Sequence, residues 1–182
     1  MPPSAIKSIR DLIYWQYAKL ISKSAGFEEN YKFIMNRFQK LKNEQILWST
    51  GIKEYVKERE RPDECIYCRR KIELTLDHLI PRARGGPDSP DNAVMICKSC
   101  NSSKCSKRLY EFYGIDSRDE IPRIAEGKYL KLLFDIHEQK CTLDIDKATL
   151  LELRKVCDLG SKCLSPNTLT VYCLEGLLTK LT

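Results

Sequence analysis

The spacing of apolar residues divides this chain into helical stretches at either end and an alternating stretch between them. From Ser4 to Ser24, Ile6, Ile9, Ile13, Tyr17, Leu20 and Ile21 recur at three- and four-residue steps, which predicts an amphipathic helix bounded by Pro2-Pro3 and Gly26. The span 27–61 is also helix-rich, with Tyr31, Ile34, Phe38 and Leu41 along one stripe. Gly51 divides it from a further helix carrying Ile52, Tyr55 and Val56, and Pro62 stops helical structure.

In the centre the period changes. Ile72, Leu74 and Leu76 alternate with Glu73, Thr75 and Asp77, as in a short strand burying its apolar face. The residues 82–91, with two glycines and two prolines, form a loop; 93–96 is a second short strand and 98–113 a helix. Helices then return. The span 121–139 carries Ile124, Leu130, Leu133, Phe134 and Ile136, with Gly127 as a weak point. Asp146 is placed to cap a helix with Leu150, Leu151, Leu153 and Val156 that ends at Gly160, and Ser165-Pro166 starts a last helix through Leu181. The fold class is therefore α+β: a mainly helical chain with a small central strand–loop–strand–helix unit.

Composition narrows the setting. The 182 residues suffice for one ordinary domain with a real hydrophobic core. A net charge of +6 favours an acidic partner such as nucleic acid, although the 31% of charged residues, of both signs, also suits a plain soluble protein. Nine cysteines without a charged leader and apolar signal core point to a reducing, intracellular compartment, cytoplasmic or nucleoid-associated. No apolar run approaches the roughly 20 residues a membrane span needs, so no membrane partner is expected.

Four cysteines, Cys65, Cys68, Cys97 and Cys100, form two Cys-x2-Cys pairs that read as one closed structural zinc site. Cys105, Cys141, Cys157, Cys163 and Cys173 are read as buried small hydrophobes. Asp77-His78, Asn92 and Asn101 lie between or just after the zinc ligands and are not needed for the metal. Taken singly, Asn92 suits a turn, Asp77 a surface charge and His78 a satisfied histidine; their combination is what calls for an explanation.

The segment 65–108 resembles the HNH nuclease family in Cys65, Cys68, Asp77-His78 followed by Ile80-Pro81, Gly85-Gly86, Asn92, Cys97, Cys100, Asn101 and Lys104. The resemblance implies a zinc-stapled ββα-metal core and hydrolysis of DNA phosphodiester bonds. It gives His78 as general base, and Asp77 with Asn101 as ligands of a catalytic Mg2+ or Mn2+. Asn92 fixes the connecting loop and orients His78. A neutral imidazole with a pKa near ~6.5 is a better base at physiological pH than a carboxylate, and an amide oxygen is a hard ligand acceptable to Mg2+.

Arg82 and Arg84 on the loop, and Lys98, Lys104, Lys107 and Arg108 on or beside the following helix, are candidate contacts to DNA phosphates. For any single lysine a solvated face is an equal reading; Arg84 and Lys104 are the better candidates because they lie inside the motif. Trp15, Tyr17, Phe33, Phe38 and Trp48 follow helical spacing and belong to a core rather than to a base-stacking platform, and His137 lacks metal-ligand neighbours. The expected organisation is a helical region 1–61, a nuclease core 62–114 and a helical region 115–182. The alternatives are a catalytically silent zinc-containing nucleic-acid-binding module, which has no need of Asp77, His78, Asn92 and Asn101 together, and a zinc-dependent protein-interaction module, which leaves Asp-His unexplained.

Overall fold

A computed structural model describes residues 4–27, 30–48, 61–114, 117, 120–157, 159 and 169–181, with side chains through 177. Among the described residues, seven α-helices and two strands follow in the order α1 (Ile9–Ser24), α2 (Tyr31–Lys42), β1 (Leu74–His78), β2 (Ala93–Cys97), α3 (Lys98–Lys104), α4 (Leu109–Tyr113), α5 (Arg123–Gln139), α6 (Lys147–Leu153) and α7 (Val171–Leu181). The expected helix over Ile52, Tyr55 and Val56, the helix end at Gly160, Cys163 and the Ser165-Pro166 start lie outside the described residues.

Helix α1 packs against α2, α5 and α7. Ser8 caps it, its side chain accepting the Asp11 N–H, so the helix begins later than the expected Ser4. It is not amphipathic in the expected sense, because Ile9, Leu12, Ile13, Trp15, Tyr17, Ala18 and Leu20 are buried on several faces. Its buried Asp11 pairs with Lys42 of α2 at 3.0 Å, so burial leaves no unpartnered charge. Trp15, Tyr17, Phe38 and Trp48 all lie in this core, as their spacing implied, while Phe33 is half-buried and stacks on Phe27.

The two strands form one antiparallel sheet in which Thr75 faces Ile96, Leu76 faces Met95, Asp77 faces Val94 and His78 faces Ala93. Register corrects the expected apolar face. Ile96 and Val94 are buried, so their partners Thr75 and Asp77 share the inward side, and α3 packs over it. Leu76 is 62% exposed and Ile72 68% exposed. The run 98–113 is likewise two helices rather than one, because Cys105 closes α3 with φ +48.

Bonds from the helical parts fasten the sheet unit. Lys128 of α5 donates to the Ala93 carbonyl at 2.8 Å, and Lys131 pairs with Asp91 at 3.0 Å. Buried Glu175 of α7 caps α4 from outside, accepting the N–H groups of Tyr110 at 2.9 Å and Glu111 at 2.7 Å. Tyr129 adds its hydroxyl to the same carboxylate at 2.6 Å. Gly127 leaves α5 unbroken, Asp146 caps α6 as expected, and a 3-10 turn at Arg154–Val156 extends it.

Candidate active site and metal centre

The first Cys-x2-Cys pair sits in a tight knuckle. The Cys65 N–H donates to the Arg70 carbonyl at 2.8 Å and the Arg69 N–H returns to Cys65 at 2.9 Å, with Arg69 in the left-handed region at φ +64. The second pair spans the junction of β2 and α3, where Cys97 ends the strand and Cys100 lies in the first helical turn. A bond from the Ile66 N–H to the Met95 carbonyl, 2.9 Å, brings the two together.

All four sulfur atoms lie within 4.8 Å of one another, and Cys68 Sγ is 3.5 Å from Cys97 Sγ. Tetrahedral zinc with bonds of about 2.3 Å holds its sulfurs about 3.8 Å apart, so the cluster fits such an ion. The Cys100 N–H lowers the Cys97 thiol to about 7, which favours a thiolate in the group. Burial raises Cys68 and Cys100 instead. Of the remaining cysteines, Cys173 is buried and Cys157 partly so, but Cys105 and Cys141 are exposed, which corrects their reading as core residues.

Asp77 and His78 are the last two residues of β1, where the strand runs into the loop. Asp77 turns inward under α3, and Lys104 of that helix reaches it, Nζ to Oδ2 at 2.8 Å. Lys104 also donates to the His78 carbonyl at 2.7 Å. Asn101, half-buried, stands three residues before Lys104, which places both on one side of α3. The His78 ring is a quarter exposed, and its Nε2 lies 3.5 Å from Asp88 Oδ1.

Asn92 is fully buried and gives all its side-chain bonds to backbone: Oδ1 takes the Ile80 N–H at 2.9 Å, and Nδ2 donates to the carbonyls of Ile80 at 2.9 Å and Pro87 at 2.8 Å. It fixes the loop, as expected, but none of these bonds reaches the His78 ring. Its amide lies against the loop backbone behind the strand end rather than against the imidazole. Gly86 lies against the same knot, where a Cβ would come 1.9 Å from the Ile80 oxygen.

The six basic candidates separate. Arg82, Lys98 and Lys107 are exposed and Arg84 is half-buried. Lys104 and Arg108 have no exposed surface, and Arg108 donates to the Glu175 carbonyl. Neither can meet a phosphate in this arrangement, because each cation is held inside the fold by an acceptor remote in sequence. His137 is buried with Nδ1 2.8 Å from the Thr142 hydroxyl, a structural setting. Asp88 was not among the expected site residues; nothing in its loop sequence marks it, since its proximity to His78 arises only when the loop closes.

Residues 65–107 match the family described as HNH endonuclease. The matched segment runs from the first cysteine of the cluster to just past α3 and contains the whole sheet unit. The family suggests nuclease activity. Comparison with curated proteins and with solved structures gives no significant match. Among the described residues no helix is long and apolar enough to cross a membrane.

Proposed function

We propose that the protein is a metal-dependent HNH-type endonuclease that hydrolyses phosphodiester bonds in DNA. The observation that carries this reading is the meeting of Asp77 and His78, at the end of β1, with the Asn101 side of α3, beside a four-thiol cluster that suits zinc. In this reading the cluster staples β2 and α3 to the knuckle, and Asp77 and Asn101 hold a Mg2+ or Mn2+ ion. When bound, such an ion would supply positive charge for the negative charge that builds up at the scissile phosphate.

His78 Nδ1 or Nε2 takes the proton of the attacking water, and the partly exposed ring leaves room for that water. Asp88, on the loop, steadies the imidazole before substrate arrives. Arg82, Arg84, Lys98 and Lys107 provide the phosphate contacts on the surface around the site. Asn92 keeps the Ile80–Pro87 segment folded so that the strand end holds one shape.

The test is incubation with supercoiled, linear and single-stranded DNA in Mg2+, with and without chelator, for the wild type and His78→Ala. The expected result is chelator-sensitive cleavage that falls by about 10²–10⁴-fold in the variant while DNA binding persists. Cleavage by His78→Ala at the wild-type rate refutes the assignment of the base, and binding without any cleavage by the wild type supports a silent binding module instead.

A further inference from the structure

A lysine that serves a nucleic-acid surface keeps its ammonium in water, yet the Lys104 side chain is fully buried. Its Nζ is divided between Asp77 Oδ2 at 2.8 Å and the His78 carbonyl at 2.7 Å. One side chain thus holds both residues of the Asp-His pair. Oδ2 is occupied, whereas no hydrogen bond among the described residues reaches Asp77 Oδ1.

We infer that Lys104 is a positioning residue that selects the divalent cation, by engaging one Asp77 oxygen so that the carboxylate is left to bind an ion through the other alone. This rests on the reading of Asp77 as a metal ligand. The physical basis is the contrast between small and large hard cations. Mg2+ requires near-octahedral geometry at about 2.1 Å and uses carboxylates sparingly, while Ca2+ gathers six to eight oxygens at about 2.4 Å and often takes both oxygens of one carboxylate. An ammonium fixed on Oδ2 denies the second mode and leaves the first intact.

The geometry resists rearrangement. Moving the ammonium aside would strand a buried charge and unpair the His78 carbonyl, so the cation entering the site must adapt to the carboxylate as Lys104 presents it. Because Lys104 and Asn101 share a side of α3, the same helix sets the position of the second proposed ligand.

The test measures Ca2+ and Mn2+ binding to the zinc-loaded full chain by calorimetry, without DNA, for the wild type, Lys104→Met, Lys104→Gln and Asp77→Ala. Met removes the charge at similar length, and Gln retains a donor for the His78 carbonyl. Zinc content and melting temperature establish that each variant is folded. The wild type is expected to bind Mn2+ more tightly than Ca2+. The Lys104 variants should raise Ca2+ affinity relative to Mn2+ by about tenfold or more, the scale on which groups behind a ligand alter metal affinity. Equal Ca2+ and Mn2+ affinity in the wild type overturns the inference, as does an unchanged ratio in either folded Lys104 variant when Asp77→Ala has lost binding. Wild-type Mn2+ binding by Asp77→Ala overturns the metal-ligand reading beneath it instead.

Discussion

Asn92 holds the Ile80 residue from both of its polar ends, taking the N–H on Oδ1 and returning Nδ2 to the carbonyl, each at 2.9 Å. The pairing resembles one rung of a sheet made by a side chain. It closes the loop that starts two residues after Asp77-His78.

Replacement of Asn92 by Ala leaves a buried N–H and two carbonyls without these partners. Each unsatisfied group costs about 1–3 kcal/mol, offset in part by water entering the loop, so a net loss of about 2–4 kcal/mol is expected in urea unfolding. Any zinc held by the cluster should be retained, since the bonds of Asn92 go to Ile80 and Pro87 rather than to the four cysteines. A loss below about 0.5 kcal/mol would show that the loop keeps its shape without the amide.

Asn101 is tested by a pair of changes. Asn101→Ala is expected to abolish cleavage by removing the proposed second oxygen ligand, whereas Asn101→His should retain a substantial part and respond to Mn2+ more than to Mg2+. Titrating each metal separates the two variants. Full activity of the alanine form at every metal concentration would make Asn101 a helix-surface residue.

Cys97→Ser removes one sulfur from the cluster at the strand–helix junction. Lower zinc content and a lower melting temperature are expected, because an ion held by the four thiols would couple its binding to folding of the knuckle. Equal zinc stoichiometry and equal stability in both proteins would remove Cys97 from the ligand set.

Glu175 predicts a pH dependence. Burial pushes its carboxyl from 4.5 up to about 7, against the opposing bonds from Tyr129 and the α4 amides. The folded protein therefore holds this proton more tightly than the unfolded chain does. The resulting stabilisation is fully present below about pH 4.5 and is lost as pH rises through about 7. Relative to Glu175→Gln, the wild type should lose stability between pH 5 and pH 8 in denaturant titrations. A constant gap between them across that range would mean that Glu175 ionises in the fold like an exposed carboxylate.

What could be read from the sequence followed from local signals. The two Cys-x2-Cys pairs, the Gly-Gly loop and the change of period located the sheet unit, and Asp146 announced its helix cap. What escaped reading depends on distant partners. Leu76 looked inward by alternation, but the opposing Val94 and Ile96 put Asp77 and Thr75 on that side. Lys104 and Arg108 looked like surface cations because Asp77 lies 27 residues away and Glu175 67 residues away. The break after Lys104 rests on one residue at positive φ, Cys105, whose side chain gives no warning of it.

The cap that Glu175 places on α4 makes the HNH-matching segment less portable than its compact sequence implies. A protein engineer who excised residues 62–114 would take every proposed ligand and the proposed base, yet leave behind the carboxylate that satisfies the first amides of α4 and the lysine that holds the Ala93 carbonyl. Such a cassette would keep its chemistry on paper and fray at both ends of its scaffold. A graft that also supplied an acidic side chain over Tyr110 and a cation over Ala93 would restore what the two outer helices contribute.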